Sequence, residues 1–272
     1  MIRIASMLGL ALFLSAPLSV NAEEGNEAGA AALDFADTPA AKTQWSTGTA
    51  MIAPEGRWEF GLFHPLHWAV NDKVELSTHP VLTFVMPHIN AKVLWYAHEG
   101  VYIATRHGLT YPSFMLRLLA KEGALGLLPA PTEVPEAIII DSDFMLTYTL
   151  KERHWLTLEL GFHFAPRAEG TMPVVDFPFL YPHFGVLSAD GVLHSGLGFE
   201  GLFWEALGYR VEADFWWIPA TQGGYAFEHT MALTWQFNEH VAITAGYRMS
   251  LARYPAGEQF HILPYGDLLF GF

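Results

Sequence analysis

Two runs near the middle of the chain alternate apolar and polar positions. From Ala137 to Leu150 one parity is almost wholly apolar, whereas the other carries carboxylates and threonines. After a turn at 151–153, the run from Trp155 to Phe164 alternates in the same way. A period of two indicates extended strands with one apolar face and one wet face. Each run is about as long as a tilted strand that crosses a hydrocarbon layer. We therefore predict a hairpin of a transmembrane β-barrel.

The same alternation recurs along most of the chain and predicts an all-β, antiparallel up-and-down barrel of about twelve strands. Short turns and long connections alternate between the strands, as in bacterial barrels whose short turns face the periplasm. The first strand and region 177–188 are the weakest parts of the pattern, so ten or fourteen strands stay open. The predicted strands cover residues 45–52, 57–70, 74–82, 89–97, 101–111, 138–150, 155–164, 192–203, 209–218, 225–237, 241–251 and 260–272, with short turns at 71–73, 98–100, 151–153, 204–207 and 238–240 and long connections at 112–136 and 167–191.

The amino-terminal residues have the features of a secretory signal. Arg3 precedes an apolar core from Met7 to Leu14, and Val20-Asn21-Ala22 offers a small-residue cleavage site. The apolar core is too short for a membrane-spanning helix. The sequence that follows is rich in Ala, Gly, Asp and Glu and has no strand pattern. We therefore predict a cleaved signal peptide (1–22), a flexible periplasmic segment (23–44) and an outer-membrane barrel domain (45–272).

The composition agrees with an exported membrane barrel. The chain of 272 residues is 51% hydrophobic and 14% aromatic, and only 15% of its residues are charged. It has no cysteine, which excludes disulfides, thiolate metal sites and a cysteine nucleophile. The formal net charge of −14 argues against a nucleic-acid partner. Aromatic residues near the predicted strand ends suit interfacial belts, and these are Trp45, Trp58, Trp68, Trp95, Tyr96, Trp217 and Trp235.

The last strand carries the most specific pattern. Phe272 is the final residue of the sequence, and Phe270 and Leu268 share its parity. This end resembles the C-terminal signature of bacterial outer-membrane barrels, an aromatic last residue preceded by alternating apolar positions. The stretch from Arg57 to Leu76 also resembles a recurring part of small outer-membrane channels and uncharacterised barrels. These resemblances imply an outer-membrane location, contact with the lipid bilayer, and recognition of the last strand by the outer-membrane assembly machinery.

Charged positions fall on the parity opposite the apolar face, so we predict that they line the lumen. A Lys or Arg that faces lipid near the bilayer midplane costs about 2–4 kcal/mol. The charges either pair across the lumen and close it or line a narrow watery path, whose excess of carboxylates would favour cations or polyhydroxylated neutral solutes. The predicted lumen residues are Arg57, Glu59, Arg106, Asp141, Asp143, Glu159, Arg210, Glu212, Asp214, Glu228 and Arg248.

Twelve strands lie between the roughly eight that side chains fill and the sixteen or more that leave an open channel. We therefore expect a narrow pore that a folded loop partly blocks. The aromatic, proline-containing segment 177–184 is the candidate plug, and packing of this segment on the rim is the alternative.

Thirteen histidines raise the question of a metal or catalytic site. No pair has the ligand spacing of a zincin helix. His194 and Ser195 are adjacent, so on a strand they point to opposite faces. Outer-membrane phospholipases place a Ser and a His two apart on one face, and Ser77-Thr78-His79 has that parity only in reverse order. The sequence therefore predicts no metal, no cofactor and no enzymatic activity.

The preferred interpretation is a narrow, passive outer-membrane channel for small solutes whose identity the sequence does not give. Two other classes stay open. One is a barrel enzyme that modifies lipid or lipopolysaccharide. The other is a structural or adhesive barrel whose outer loops bind a partner.

Overall fold

The structure is a computed structural model that describes residues 45, 48–120, 134–151, 153–166, 181–189, 191–219, 224–254 and 257–272. The predicted signal peptide and the predicted flexible segment 23–44 lie outside these residues. The same holds for most of the candidate plug, of which residues 181–184 are described.

Twelve antiparallel strands form a closed ring in these residues, and each strand pairs with its neighbours in sequence. The ring closes where β12 pairs with β1. The predicted all-β, up-and-down barrel and its number of strands are therefore confirmed. The strands are β1 (Trp58–Phe60), β2 (Leu66–Ala69), β3 (Val74–Thr78), β4 (His88–His98), β5 (Val101–Thr110), β6 (Ile139–Thr149), β7 (His154–Phe164), β8 (Gly191–Trp204), β9 (Leu207–Trp217), β10 (Tyr225–Gln236), β11 (Val241–Tyr254) and β12 (Gly257–Gly271).

Four short helical segments lie in the described parts of the connections. They are a 3-10 helix (Leu82–Phe84), α1 (Ser113–Leu119), α2 (Tyr181–Phe184) and α3 (Val186–Ala189). No helix among the described residues is both long and apolar enough to cross a membrane.

The prediction of a first strand at residues 45–52 was wrong. The described residues of that stretch, 45 and 48–52, belong to no strand. Trp45 was expected in an interfacial belt, but only 6% of its surface is exposed, and it packs against Ala242 and Leu269. These residues face the lumen, so this stretch lies inside the barrel instead of in its wall.

The predicted second strand, 57–70, is also wrong in its length, because the structure divides it into β1 and β2. The division lies at Asp267 of β12. Its carboxylate accepts the backbone amides of Leu62, Phe63 and His64, at 2.8, 2.9 and 2.7 Å. Three amides that would otherwise continue a strand ladder are satisfied by one side chain, so the chain turns there. The two errors cancel, and the number of strands stays at twelve.

All five predicted short turns lie at one end of the barrel, which we call the short-turn end. Asn71 and Asn238 shape two of them, because each side-chain oxygen accepts two backbone amides at 2.8–2.9 Å. A third turn uses Glu99 and Gly100 at φ angles of 49° and 79°, as a two-residue hairpin loop requires. The other end, which we call the long-loop end, carries the connections that contain the helices.

The outward face of the barrel is apolar. Leu160 and Leu197 are 51% and 52% exposed, whereas the inward residues Glu59 and Glu228 are at most 1% exposed. Aromatic side chains stand outward towards both ends, with Trp58 and Trp235 near the short-turn end and Trp217 near the long-loop end. A polar interior under an apolar exterior is the reverse of a water-soluble protein and matches a barrel that spans a bilayer.

Candidate functional site

The lumen gathers the charged side chains, so it is the candidate site. The structure places ten of the eleven predicted lumen residues on inward-facing strand positions. Arg57 precedes β1 at the short-turn end, where its guanidinium contacts Glu59 and lies 5.2 Å from the centre of the Trp45 ring. The other residues are Glu59 on β1, Arg106 on β5, Asp141 and Asp143 on β6, Glu159 on β7, Arg210, Glu212 and Asp214 on β9, Glu228 on β10 and Arg248 on β11. Their role in a pore stays a prediction.

The lumen at the short-turn end is occupied by residues 45 and 48–56, which we call the inner segment. The amide of Ala50 donates to the Thr147 hydroxyl on β6 at 2.8 Å. The Ala50 side chain is fully buried and packs with Ala104 and Met145. Trp45 lies against the opposite wall, on β11 and β12. The inner segment therefore crosses the lumen from one wall to the other.

Further contacts fix the inner segment. Met51 packs on Trp155, a β7 residue that is 2% exposed. Lys92 donates to the Thr49 carbonyl at 3.4 Å, and the same ammonium lies 3.1 Å from Glu75. Gly48 lies beside Glu212, and a Cβ added to Gly48 would be 2.6 Å from a Glu212 carboxylate oxygen. The sequence did not predict this blockage.

The lumen at the long-loop end is covered by residues 181–189, which we call the outer cap. Phe184, Val186 and Leu187 are buried in an apolar cluster with Trp216 and Ile218 of the barrel wall. Leu116 of α1 joins the same cluster, so two long connections fold over one mouth of the barrel. The end of the predicted plug, at 181–184, thus lies over the lumen and not on the outer rim.

A polar chamber lies between the inner segment and the outer cap. The side chains of Arg106, Arg210 and Arg248 keep 33%, 31% and 35% of their surface exposed. Arg106 and Arg248 sit on inward positions near the middle of β5 and β11, and Arg210 sits inward nearer the short-turn end of β9, so this surface faces space inside the barrel.

Ion pairs organise the walls of the chamber. Arg106 binds Asp143 Oδ2 through two nitrogens, at 3.1 and 3.0 Å, and also contacts Glu159. Arg248 contacts Glu228 at 2.5 Å, and its guanidinium lies 3.0 Å from His183 of the outer cap. The outer cap is therefore tied to a charged pair of the wall as well as to the apolar cluster.

A cluster that the sequence did not predict lies beside Arg106. Asp143, His163 and His194 project inward from β6, β7 and β8, and one ligand atom from each lies within 4.8 Å of the others. Asp143 faces Gly161 across the β6–β7 pair, and Gly161 faces His194 across the β7–β8 pair. The alternation in the sequence predicts that all three residues face inward, but it does not predict the strand register that brings them together.

The candidate catalytic residues do not form a site. Ser195 pairs with Leu160 and Phe215 on the outward face, away from His194. His79 Nδ1 accepts the amides of Val81 and Leu82, at 3.3 and 3.2 Å, so it shapes a turn. Among the described residues, neither His79 nor His194 forms a hydrogen bond with a serine hydroxyl.

The comparisons with known proteins give remote structural similarity alone. No protein-family model matches the chain, and no curated protein is similar to it in sequence. Solved structures that it resembles include an outer-membrane OmpT of Vibrio cholerae (TM-score 0.43, 7% identity, 76% of this chain and 62% of that one). They also include a FadL homologue of Pseudomonas aeruginosa (0.39, 10%, 79% and 67%) and an outer membrane channel of Pseudomonas putida F1 (0.41, 8%, 84% and 100%).

This chain thus spans less than two thirds of the length of the Vibrio cholerae protein. At these identities, and with TM-scores below 0.5, the similarities assign neither a family nor a function. The fold rests on the chain's own strand pairing: it is a closed, twelve-stranded antiparallel barrel with an apolar outer face and a charged lumen.

Proposed function

We propose that this protein is a narrow outer-membrane channel for small polar solutes and that the inner segment gates it. The apolar outward face supports insertion into a lipid bilayer. Only helices and closed barrels can span a bilayer, because they satisfy their own backbone hydrogen bonds. The signal-like residues 1–22 support export. The C-terminal residues Leu268, Phe270 and Phe272 support recognition by the outer-membrane assembly machinery.

The observation that carries the proposal is the chamber itself. The side chains of Arg106, Arg210 and Arg248 keep about a third of their surface exposed inside the barrel, although both mouths are covered. Buried polar groups without partners cost free energy, so a lumen that served only as a packed core would not be expected to keep partly exposed charged side chains inside it. A continuous path for solutes therefore requires an opening past each of the two covers.

The inner segment is the cover best suited to move. Residues 48–56 belong to no strand, and a backbone hydrogen bond ties them to the wall at their end, where the Gly56 amide donates to the Ala69 carbonyl of β2 at 2.8 Å. Contacts with wall side chains hold much of the rest in place. The lumen residues include seven carboxylates (Glu59, Asp141, Asp143, Glu159, Glu212, Asp214 and Glu228) and four arginines (Arg57, Arg106, Arg210 and Arg248). This excess of negative charge favours cations and neutral polyhydroxylated solutes over anions.

A reversible lock tests the gate. Ala50 and Ala104 pack together, and the chain has no cysteine of its own. The double variant Ala50→Cys/Ala104→Cys should therefore form one engineered disulfide without competitors. In planar bilayers the oxidised variant should lose the conductance of the wild type, and reduction should restore it. The single variants Ala50→Cys and Ala104→Cys are the matched controls and should conduct in both redox states.

Two results would count against the proposal, and they differ. If the wild type leaves the bilayer sealed at every voltage, the channel function is wrong. If the oxidised double variant conducts like the wild type, the channel stands and the inner segment is not its gate. A structural barrel without transport is the competing function, because the two covered mouths favour a closed lumen, and a sealed bilayer would support it.

A further inference from the structure

We propose that Asp143, His163 and His194 bind one divalent transition-metal ion inside the barrel. The ligand atoms would be Asp143 Oδ1, His163 Nε2 and His194 Nδ1. They come from three neighbouring strands and meet on the wall of the chamber beneath the outer cap.

All three atoms are buried, and none of them has a hydrogen-bond partner among the residues that the structure describes. Asp143 and His194 are only 2% and 6% exposed. Buried polar atoms nearly always have a partner, because leaving one unpaired costs about 1–3 kcal/mol. Three unpaired atoms that converge on one point therefore indicate a missing shared partner.

The distances fit a metal better than direct hydrogen bonds. Asp143 Oδ1 lies 3.5 Å from His163 Nε2 and 3.7 Å from His194 Nδ1. A direct N–H···O bond spans about 2.7–3.2 Å. Two ligand atoms on a tetrahedral zinc ion, each about 2.0–2.1 Å from the metal, are instead about 3.4 Å apart.

Asp143 and His194 each use their second polar atom in another contact, which leaves Asp143 Oδ1 and His194 Nδ1 available to a metal. Asp143 Oδ2 accepts two hydrogen bonds from Arg106, which leaves Oδ1 open. His194 Nε2 lies 3.0 Å from Asp214 Oδ1. If Nε2 carries the proton and donates it to Asp214, Nδ1 presents a lone pair. A carboxylate that orients a metal-binding imidazole in this way is a recurrent feature of protein metal sites.

The backbone at Gly161 makes room for the Asp143 carboxylate. Gly161 sits between Asp143 and His194 in the strand register. A Cβ added to Gly161 would overlap Asp143 Oδ1 and lie 3.4 Å from His194 Cβ. Trp216 stacks on the His194 ring, with centroids 4.1 Å apart, and meets the His163 ring edge-on at 5.0 Å. Both imidazoles are therefore held in place.

The donor set selects the class of metal. Two imidazole nitrogens and one carboxylate suit zinc, nickel, cobalt and iron(II), whereas magnesium and calcium prefer oxygen ligands. Glu159 Oε1 lies 3.7 Å from His194 Nδ1 and can supply a fourth ligand. Arg106 contacts the carboxylates of both Asp143 and Glu159. A metal ion at this site would therefore compete with the Arg106 guanidinium for Glu159.

Zinc titration of the refolded full chain, freed of metal by a chelator, tests the site. A colorimetric zinc indicator should report one tightly bound equivalent in the wild type. His163→Gln and His194→Gln should each weaken that equivalent by at least about 100-fold. Cobalt in place of zinc should give visible d–d absorption bands that both variants lose. Circular dichroism establishes that each variant has kept its strands.

His107→Gln is the matched control, because His107 is an exposed histidine of β5 that contacts Ser142 on the outer face. It should bind zinc like the wild type. Asp214→Asn retains all three ligands and should bind about 10–100-fold more weakly, which tests the site even if a ligand variant does not fold. Absence of binding to the wild type would overturn the proposal and leave an ordered water as the shared partner. Unchanged zinc binding in both His163→Gln and His194→Gln would overturn it too. The titration needs no conductance, so its outcome is separate from that of the channel.

Discussion

The backbone amide of Ala50 donates to the hydroxyl of Thr147 at 2.8 Å, and this hydrogen bond joins the inner segment to the barrel wall. Thr147 is fully buried, and its hydroxyl also lies 2.8 Å from that of Thr157. In Thr147→Val the Ala50 amide would stay buried without an acceptor, at a cost of about 1–3 kcal/mol. Amide hydrogen exchange in residues 48–56 should then accelerate roughly tenfold or more.

Thr78→Val is the matched control for this prediction. Thr78 bonds to Thr83 and to the His88 carbonyl in the β3–β4 connection. Its loss should change exchange there and leave residues 48–56 as they are. Unchanged exchange of the inner segment in Thr147→Val would show that packing alone holds it.

Arg106 should contribute strongly to stability. Its guanidinium neutralises Asp143 and Glu159, so Arg106→Met would leave two inward carboxylates without their cation. Breaking such a pair costs about 3–5 kcal/mol when the charge left behind is buried. Unfolding by urea in detergent should show a loss at the lower end of that range, because a third of the Arg106 side chain is exposed.

A compensated variant separates charge from packing at Arg106. Arg106→Met combined with Asp143→Asn and Glu159→Gln should recover most of the lost stability, since no unpaired charge remains. Arg153→Met, at an exposed turn, should change stability by less than about 0.5 kcal/mol. If the triple variant is no more stable than Arg106→Met, loss of packing and not loss of charge explains the effect.

Tyr111, Arg117 and Glu136 form a cluster outside the strands, at the long-loop end. The hydrogen bond to Glu136 raises the pKa of Tyr111 above its ordinary value of 10.0. Hydrogen bonds from Tyr111 and then Arg117 lower the pKa of Glu136 below 4.5. The contribution of Tyr111 to stability is therefore present below pH 10 and lost as pH rises through the raised pKa. That of Glu136 is present above pH 4.5 and lost as pH falls through the lowered pKa.

Ultraviolet titration of phenolate formation checks this pH dependence. The difference between the wild type and Tyr111→Phe should isolate one phenol that ionises late. Glu136→Gln removes the acceptor carboxylate, so it should move that ionisation to lower pH. Glu55→Gln, at an exposed position far along the chain, should leave it in place. An unshifted phenol in Glu136→Gln would contradict the assigned cause.

Phe272 should matter for closure of the barrel and for its assembly. Its amide and carbonyl exchange two hydrogen bonds with Trp58, each of 2.8 Å, and its ring lies 6.4 Å from that of Phe60. Deletion of Phe272 removes all these contacts. The amount of folded barrel in the outer membranes of a Gram-negative expression host should fall several-fold.

Phe260→Ala is the matched control for the last strand. Phe260 is an exposed phenylalanine of β12, near the long-loop end. It takes no part in the contacts between β1 and β12, so its loss should leave assembly near the wild-type amount. Equal losses in both variants would mean that the last residue has no special part in assembly.

The strands from β4 to β12 were predictable because the direction in which each side chain points follows from its position in the local alternation. A residue such as Phe144 or Leu158 faces outward, its neighbours face the lumen, and that alternation can be read without knowing the partner strand. The five short turns were predictable for the same reason, since Asn71 and Asn238 act on backbone amides two and three residues away.

The inner segment was not predictable, because nothing local distinguishes it from a strand. Trp45 and Met51 have the residue types of a lipid-facing strand, and only distant partners such as Leu269 and Trp155 bring them inside. The cluster at Asp143 was hidden for a related reason. Parity assigns His163 and His194 to the lumen, but their meeting depends on the registers of two strand pairs and on the space that Gly161 leaves.

The junctions of β1 with β12 and with β2 are the shortest in the ring. Two registered residue pairs and the hydrogen bonds between Trp58 and Phe272 join β1 to β12, and two pairs join β1 to β2, whereas fourteen pairs join β11 and β12. Strand separation requires the loss of every hydrogen bond along a junction, so a junction this short yields before any of the long ones. Heat or denaturant should therefore open the ring first at β1, where it meets β12 and β2, and the sheet should then uncurl from that edge.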